Sequence, residues 1–127
     1  MSTPRQLALG FVFLWFAVGG IAHFAAADFF LHIMPGWVPF PLPVIYVSGV
    51  IELALAAALL RPALRPSAGL ALIVLIGAVS PVNINMWLHP ERFPEFPPLL
   101  YSLRLVLQLF LLACVWWATR PVAGAVR

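Results

Sequence analysis

Residues 44–60 read VIYVSGVIELALAAALL, and Glu52 is the one charged residue among them. A carboxylate in a long apolar run is costly, so it faces inward and finds a partner. Four other polar side chains stand in similarly apolar settings: His23, Asn83, Arg104 and Gln108. A carboxylate and an imidazole can exchange a proton, a guanidinium can hold an anionic oxygen, and carboxamides can donate and accept at once. That is the chemistry of a polar pocket. It is not a complete catalytic constellation: there is no nucleotide loop, no cofactor ligand set and no separate soluble domain.

The setting of these residues follows from composition. The 127 residues are 64% hydrophobic and 9% charged, with a mean hydropathy of +1.04. A soluble domain is roughly a quarter charged. The chain is too apolar to cover itself with a polar surface, and the bilayer is its expected solvent and principal partner. Four apolar stretches, Gln6–Ala27, Pro43–Leu60, Ser67–Leu88 and Pro98–Thr119, each approach the ~17–25 residues that cross a bilayer as a helix. Backbone groups in lipid must be satisfied internally, which favours helices, and the stretches lack the alternation of barrel strands. Short connections make neighbouring helices antiparallel. The expected fold is therefore all-α: one membrane domain over residues 1–127, an up-down four-helix bundle with an interfacial segment at 28–42. Pro81, four residues after Gly77, should kink the third span by removing a backbone hydrogen bond.

Charge gives the expected orientation. All seven basic residues are arginine. Arg5 precedes the first span, Arg61 and Arg65 separate the second and third, and Arg120 and Arg127 follow the fourth. The other two connections carry Asp28, Glu91, Glu95 and only Arg92. Arginine-rich loops stay inside, so both termini should be cytoplasmic and the protein a multi-pass membrane protein. The basic balance then reflects topology and contact with anionic lipid, and no nucleic acid partner is expected. A cleaved signal peptide is the competing reading of the N-terminus. The apolar run is long for one and contains His23, so a retained helix is expected.

With that orientation, depth can be counted at about 1.5 Å per residue. Glu52 lies roughly 13 Å below the outer end of its helix, Arg104 roughly 9 Å, Gln108 roughly 15 Å, and His23 and Asn83 roughly 6–8 Å. All four helices thus contribute a polar group to one outer layer, while the inner half is almost purely apolar. Glu52 is expected to pair with Arg104, with His23, Asn83, Gln108 and Ser48 satisfying the remainder. Three bland alternatives stand beside this. The pair can serve only to fix helix register, Arg104 can snorkel outward, and the asparagines can simply bond between helices.

The first outer connection, DFFLHIMPGWVPFPL, has room for a short helix capped by Asp28. Phe29, Phe30, Ile33, Met34 and Trp37 fall largely to one side, with Asp28 and His32 opposite. This segment is either a lid or an aromatic anchoring belt. No second histidine stands at ligand spacing from His23, so no haem or metal is expected. Cys114 is the single cysteine, which excludes a disulfide or thiol exchange within the chain.

Several motifs carry a family resemblance: Gly20-Ile21-Ala22-His23-Phe24, Asp28-Phe29-Phe30, Pro35-x-Trp37-x-Pro39, Ser48-Gly49-x-x-Glu52, Pro81-x-Asn83-x-x-Met86-x-x-His89-Pro90 and Arg104-x-x-x-Gln108. As a set, from about Gly10 to Arg120, the chain resembles the DoxX-like family of small bacterial membrane proteins. Ala27 departs from it, where proline is expected before the aspartate. The resemblance implies a four-helix membrane bundle. Some relatives look like the small subunit of a thiosulfate–quinone oxidoreductase, and others are tied to oxidative-stress or methylamine-oxidation machinery. Distant ones act as chaperones or cargo receptors. Two functions are therefore expected as alternatives. One is a redox-associated subunit, with a redox partner protein or a second copy of itself, whose pocket holds a quinone or similar lipophile. There Glu52 and His23 handle protons, Arg104 favours an anionic oxygen, Asn83 and Gln108 complete the polar wall, and Trp37 and Phe24 flank the ring. The other is a non-catalytic scaffold, chaperone or assembly factor whose polar cluster is structural.

Overall fold

The computed structural model describes residues 2–121, all of whose regular structure is helical. Arg127 lies outside the described residues. Four long helices, α1 (Thr3–Ala25), α3 (Pro41–Leu59), α4 (Arg65–Leu88) and α5 (Pro98–Thr119), are each long and apolar enough to cross a membrane. A short helix, α2 (Ala27–Ile33), follows α1, and a 3₁₀ turn at Pro90–Arg92 follows α4. The first three long helices begin two or three residues earlier than their apolar runs. Pro4, Pro41 and Pro66 sit in their first turns, where a missing N–H costs nothing. Ser2 caps α1 by accepting from the Arg5 N–H at 3.4 Å. Helix α4 continues through Pro81.

The principal contacts pair α1 with α3 and α4 with α5, and the two pairs meet where α1 touches α5 and α3 touches α4. Glycine permits the closest approach. A Cβ on Gly49 would lie 2.7 Å from the Cβ of His23, and one on Gly20 would lie 2.7 Å from Leu53 Cγ. Gly69 of α4 likewise lies directly against the Thr119 side chain of α5.

The larger core joins all four long helices through Val12, Phe16, Leu59, Leu72, Ile76, Leu111 and Val115. A smaller one, Ile33, Met86, Phe93 and Tyr101, lies under α2. Outside these cores the helices present apolar side chains outward, among them Leu14, Val18, Val74 and Val106. Such a surface suits hydrocarbon and is poorly hydrated in water.

Asp28 does not cap α2. Ala26 occupies the cap position, and Asp28 is exposed in the first turn. Its charge there favours the helix dipole without a cap hydrogen bond. Nor does His32 lie opposite the apolar side. Phe29, His32 and Ile33 stand three and four residues apart, share one face, and border the same cavity.

Candidate functional site

The polar residues are divided between the two helix pairs. Between α1 and α3, His23 Nε2 lies 3.1 Å from Glu52 Oε2, and both side chains are buried. His23 Nδ1 lies 2.7 Å from Gly19 O, its own helix carbonyl. A carbonyl only accepts, so Nδ1 carries a proton. The 3.1 Å contact then requires one more proton, on Nε2 or on the carboxyl group. Either way the pair is neutral overall and holds one proton that both partners can carry. Phe30 of α2 stacks on the imidazole, with centroids 4.3 Å apart and planes 20° apart. Gly19 leaves room for the second carboxylate oxygen, since a Cβ there would lie 3.0 Å from Glu52 Oε1.

Between α4 and α5 runs a chain of hydrogen bonds. Arg104 Nη2 donates to Asn83 Oδ1 at 3.0 Å, and Asn83 Nδ2 donates to Gln108 Oε1 at 2.6 Å. Gln108 Nε2 donates to Ser80 Oγ at 2.6 Å, and Ser80 donates to Ile76 O at 2.8 Å. Each bond points the same way, from the guanidinium towards a backbone carbonyl. Spacing explains it: Ser80 and Asn83 share a face of α4, and Arg104 and Gln108 share a face of α5.

The expected pairing of Glu52 with Arg104 is therefore corrected. Glu52 binds His23, Arg104 binds Asn83, and among the described residues no ion pair joins Glu52 to Arg104. Ser48 does not serve Glu52 either, because its hydroxyl donates to Ile45 O at 2.9 Å. The cause is rotational: the polar faces of α1 and α3 look at each other, as do those of α4 and α5.

Arg104 also borders a cavity of about 270 Å³. Phe29, His32 and Ile33 of α2 form one side. Leu100, Leu103 and Leu107 of α5 form another, with Met86, Phe93 and Phe96 between. Its walls are apolar except for Arg104, the Tyr101 ring and the pair His32–Glu95. His32 Nε2 lies 2.7 Å from Glu95 Oε1, which ties α2 to the second connection. The Tyr101 hydroxyl donates to Phe93 O and holds that connection onto α5. Arg104 makes one hydrogen bond among the described residues, so its other N–H groups remain for a guest.

The expected site residues thus separate. Arg104 and His32 reach the cavity; Asn83 and Gln108 support Arg104 from behind. His23 and Glu52 do not border it, and neither does Phe30, the α2 ring that stacks on His23. Asp28 is exposed and does not line it. Neither do the two expected ring walls. Trp37 is 71% exposed, and Phe24 stacks on Tyr46 of α3 at 5.4 Å. Sequence reasoning missed Ser80 and Glu95. Ser80 stands three residues before Asn83 and was detectable by that spacing, whereas the match of Glu95 to His32 depends on how two loops fold. Among the described residues no group of His, Cys, Asp or Glu is placed to hold a metal ion.

The model of a family described as a domain of unknown function, DUF8561, matches residues 12–119. The chain belongs to that family. The matched range contains both polar groups and the cavity. No curated protein and no solved structure matches the chain.

Proposed function

We propose that this DUF8561 protein is a lipophile-binding component of the bacterial inner membrane. It is a DoxX-like bundle of four antiparallel spans with both termini cytoplasmic, and its outer pocket takes a quinone or another lipophile with a hydrogen-bond-accepting oxygen. In this role it is a redox-associated subunit beside a partner protein. The observation that carries the reading is the apolar cavity with one guanidinium at its wall, fixed from behind by Asn83, Gln108 and Ser80. Pockets of this kind are mostly apolar, with a few placed polar groups that orient the guest. Arg104 is such a group: its fork donates to an oxygen and favours that oxygen when it becomes negative. The His23–Glu52 pair supplies a proton acceptor and donor on the other side of α2.

The test is purification in mild detergent followed by mass spectrometry of co-purifying small molecules. A quinone or related lipophile should be retained by the natural protein and lost from Arg104→Met, with the variant still folded. Equal retention by both excludes Arg104 as the anchor. A second reading, the non-catalytic scaffold or assembly factor, draws on the closed position of His23 and Glu52 away from the cavity, where they act as a clamp between α1 and α3. Co-purification of a protein partner without any lipophile favours it.

A further inference from the structure

The end of the molecule opposite the cavity holds a second concentration of charge. Arg5 in the first turn of α1 donates Nη2–H to Arg120 O at 2.6 Å. Arg120, just past α5, donates Nη2–H to Pro66 O at 3.0 Å, in the first turn of α4. Arg65 donates Nε–H to Leu59 O at 2.9 Å, at the end of α3. Three arginines therefore link the ends of all four long helices, and each bond goes to a backbone carbonyl. Carbonyl dipoles orient a guanidinium but do not neutralise it.

Among the described residues no carboxylate does so either. The chain has four acidic residues. Glu52 bonds His23, Glu95 bonds His32, Glu91 lies 3.5 Å from His89, and Asp28 sits in α2 at the cavity end. Arg5 Nε and Arg120 Nε are both buried and have no hydrogen-bond partner among the described residues. A shielded cationic donor without an acceptor is unfavourable. The Arg120 guanidinium is also held in place, 4.4 Å over the Trp116 ring. Among the described residues the site is cationic and has no anion of its own.

Guanidinium forks match the oxygens of phosphate, and two of them on one group exceed what a carbonyl offers either. The Trp116 ring under Arg120 is exposed, as are Leu7 and Trp117, two and three residues from the pair in sequence. A phosphate at Arg5 and Arg120 would have the Trp116 ring next to whatever it is attached to. We infer that Arg5 and Arg120 form a binding site for a net-anionic phosphate group, of the kind carried by an acidic phospholipid headgroup or by free phosphate. The bound group neutralises the pair and locks the start of α1 to the junction of α4 and α5. This inference shares only the membrane placement with the pocket reading and uses none of its residues.

The experiment is thermal unfolding of the full chain in mild detergent at constant ionic strength. It is run with added phosphatidylglycerol, with phosphatidylcholine, or with inorganic phosphate. Phosphatidylglycerol should raise the midpoint by several degrees more than phosphatidylcholine, whose choline offsets its phosphate. Arg5→Gln and Arg120→Gln should lose at least half of that difference. Arg61→Gln removes the same charge from an exposed position at the same end and should keep it. A rise with inorganic phosphate equal to that with phosphatidylglycerol supports the site and assigns its source to solution. Equal effects of the two lipids without phosphate, or an equal loss in Arg61→Gln, overturns the inference. Should the glutamine variants not fold, native mass spectrometry of the natural protein decides: preferential retention of phosphatidylglycerol over phosphatidylcholine supports the site, and indifference overturns it.

Discussion

The proton between His23 and Glu52 decides how that pair responds to substitution. With Nδ1 committed to Gly19 O, Nε2 needs a donor opposite it whenever the imidazole is neutral. Glu52→Gln offers one from its amide, so its cost should be small. Glu52→Leu leaves a buried acceptor empty and should cost about 1–3 kcal/mol. His23→Phe keeps a ring against Phe30 but strands the carboxylate, and should cost roughly 3–5 kcal/mol. The double variant His23→Phe with Glu52→Leu should recover much of this. Thermal unfolding in detergent measures all four, and strict additivity would show that the contact contributes nothing. Arg104→Met and Glu52→Gln, which share no partner, should instead add to within about 0.5 kcal/mol. The sequence made the residue types and their common depth readable, because position along a helix gives height directly. It did not reveal the partners. Those depend on rotation about each helix axis, and in a chain apolar on both its lipid and its core faces there is little amphipathic signal to set that rotation. Glu52 was therefore assigned to the strongest opposite charge at its level, Arg104, when the helix facing it was the one bearing His23.

At the scale of elements, glycine determines which helices come close. The ring of Phe24 and the Cβ of His23 occupy the space that a side chain on Gly49 would need, at 2.9 and 2.7 Å. A Cβ of His23 cannot retreat without moving α1. Gly49→Ala should accordingly cost about 1–3 kcal/mol by overpacking and disturb the His23–Glu52 contact with it. Gly77 is the control. Nothing lies within 4 Å of a Cβ there, and it stands inside α4. Gly77→Ala should be neutral or gain up to about 1 kcal/mol, because it removes a flexible residue from a helix interior. Midpoints in one detergent compare the two, and a larger loss at Gly77 would place the tight contact elsewhere. The long helices were legible from the lengths of their apolar runs. The starts of the first three were less so, since an apolar run marks the span and not the proline-bearing first turn ahead of it. The placement of α2 over the cavity was not legible, because a seven-residue helix takes its position from what it packs against, here Met86, Phe93 and Tyr101.

At the scale of the whole molecule, charge and apolar surface set one expectation together. Four helices carry exposed apolar side chains along their lengths, and their ends differ in sign. Arg5, Arg61, Arg65 and Arg120 gather where α1 and α4 begin and α3 and α5 end, joined by bonds between Arg5 and Arg120 and between Arg120 and Pro66. Glu91 and Glu95 lie in the connection after α4, with Arg92 as its single cation. Each arginine resists transfer across the membrane during insertion, while acidic residues resist it little, so the arginine-rich ends should remain cytoplasmic. Topology reporters fused at Arg65 and at Glu95 should then lie on opposite sides, with Arg65 inside. Both on one side would exclude α4 as a span and end the four-span proposal. Opposite sides with Arg65 outside would leave the spans intact and reverse the orientation. The cavity and Arg104 would then open towards the cytoplasm, and the arginine pair at Arg5 and Arg120 would meet the outer leaflet.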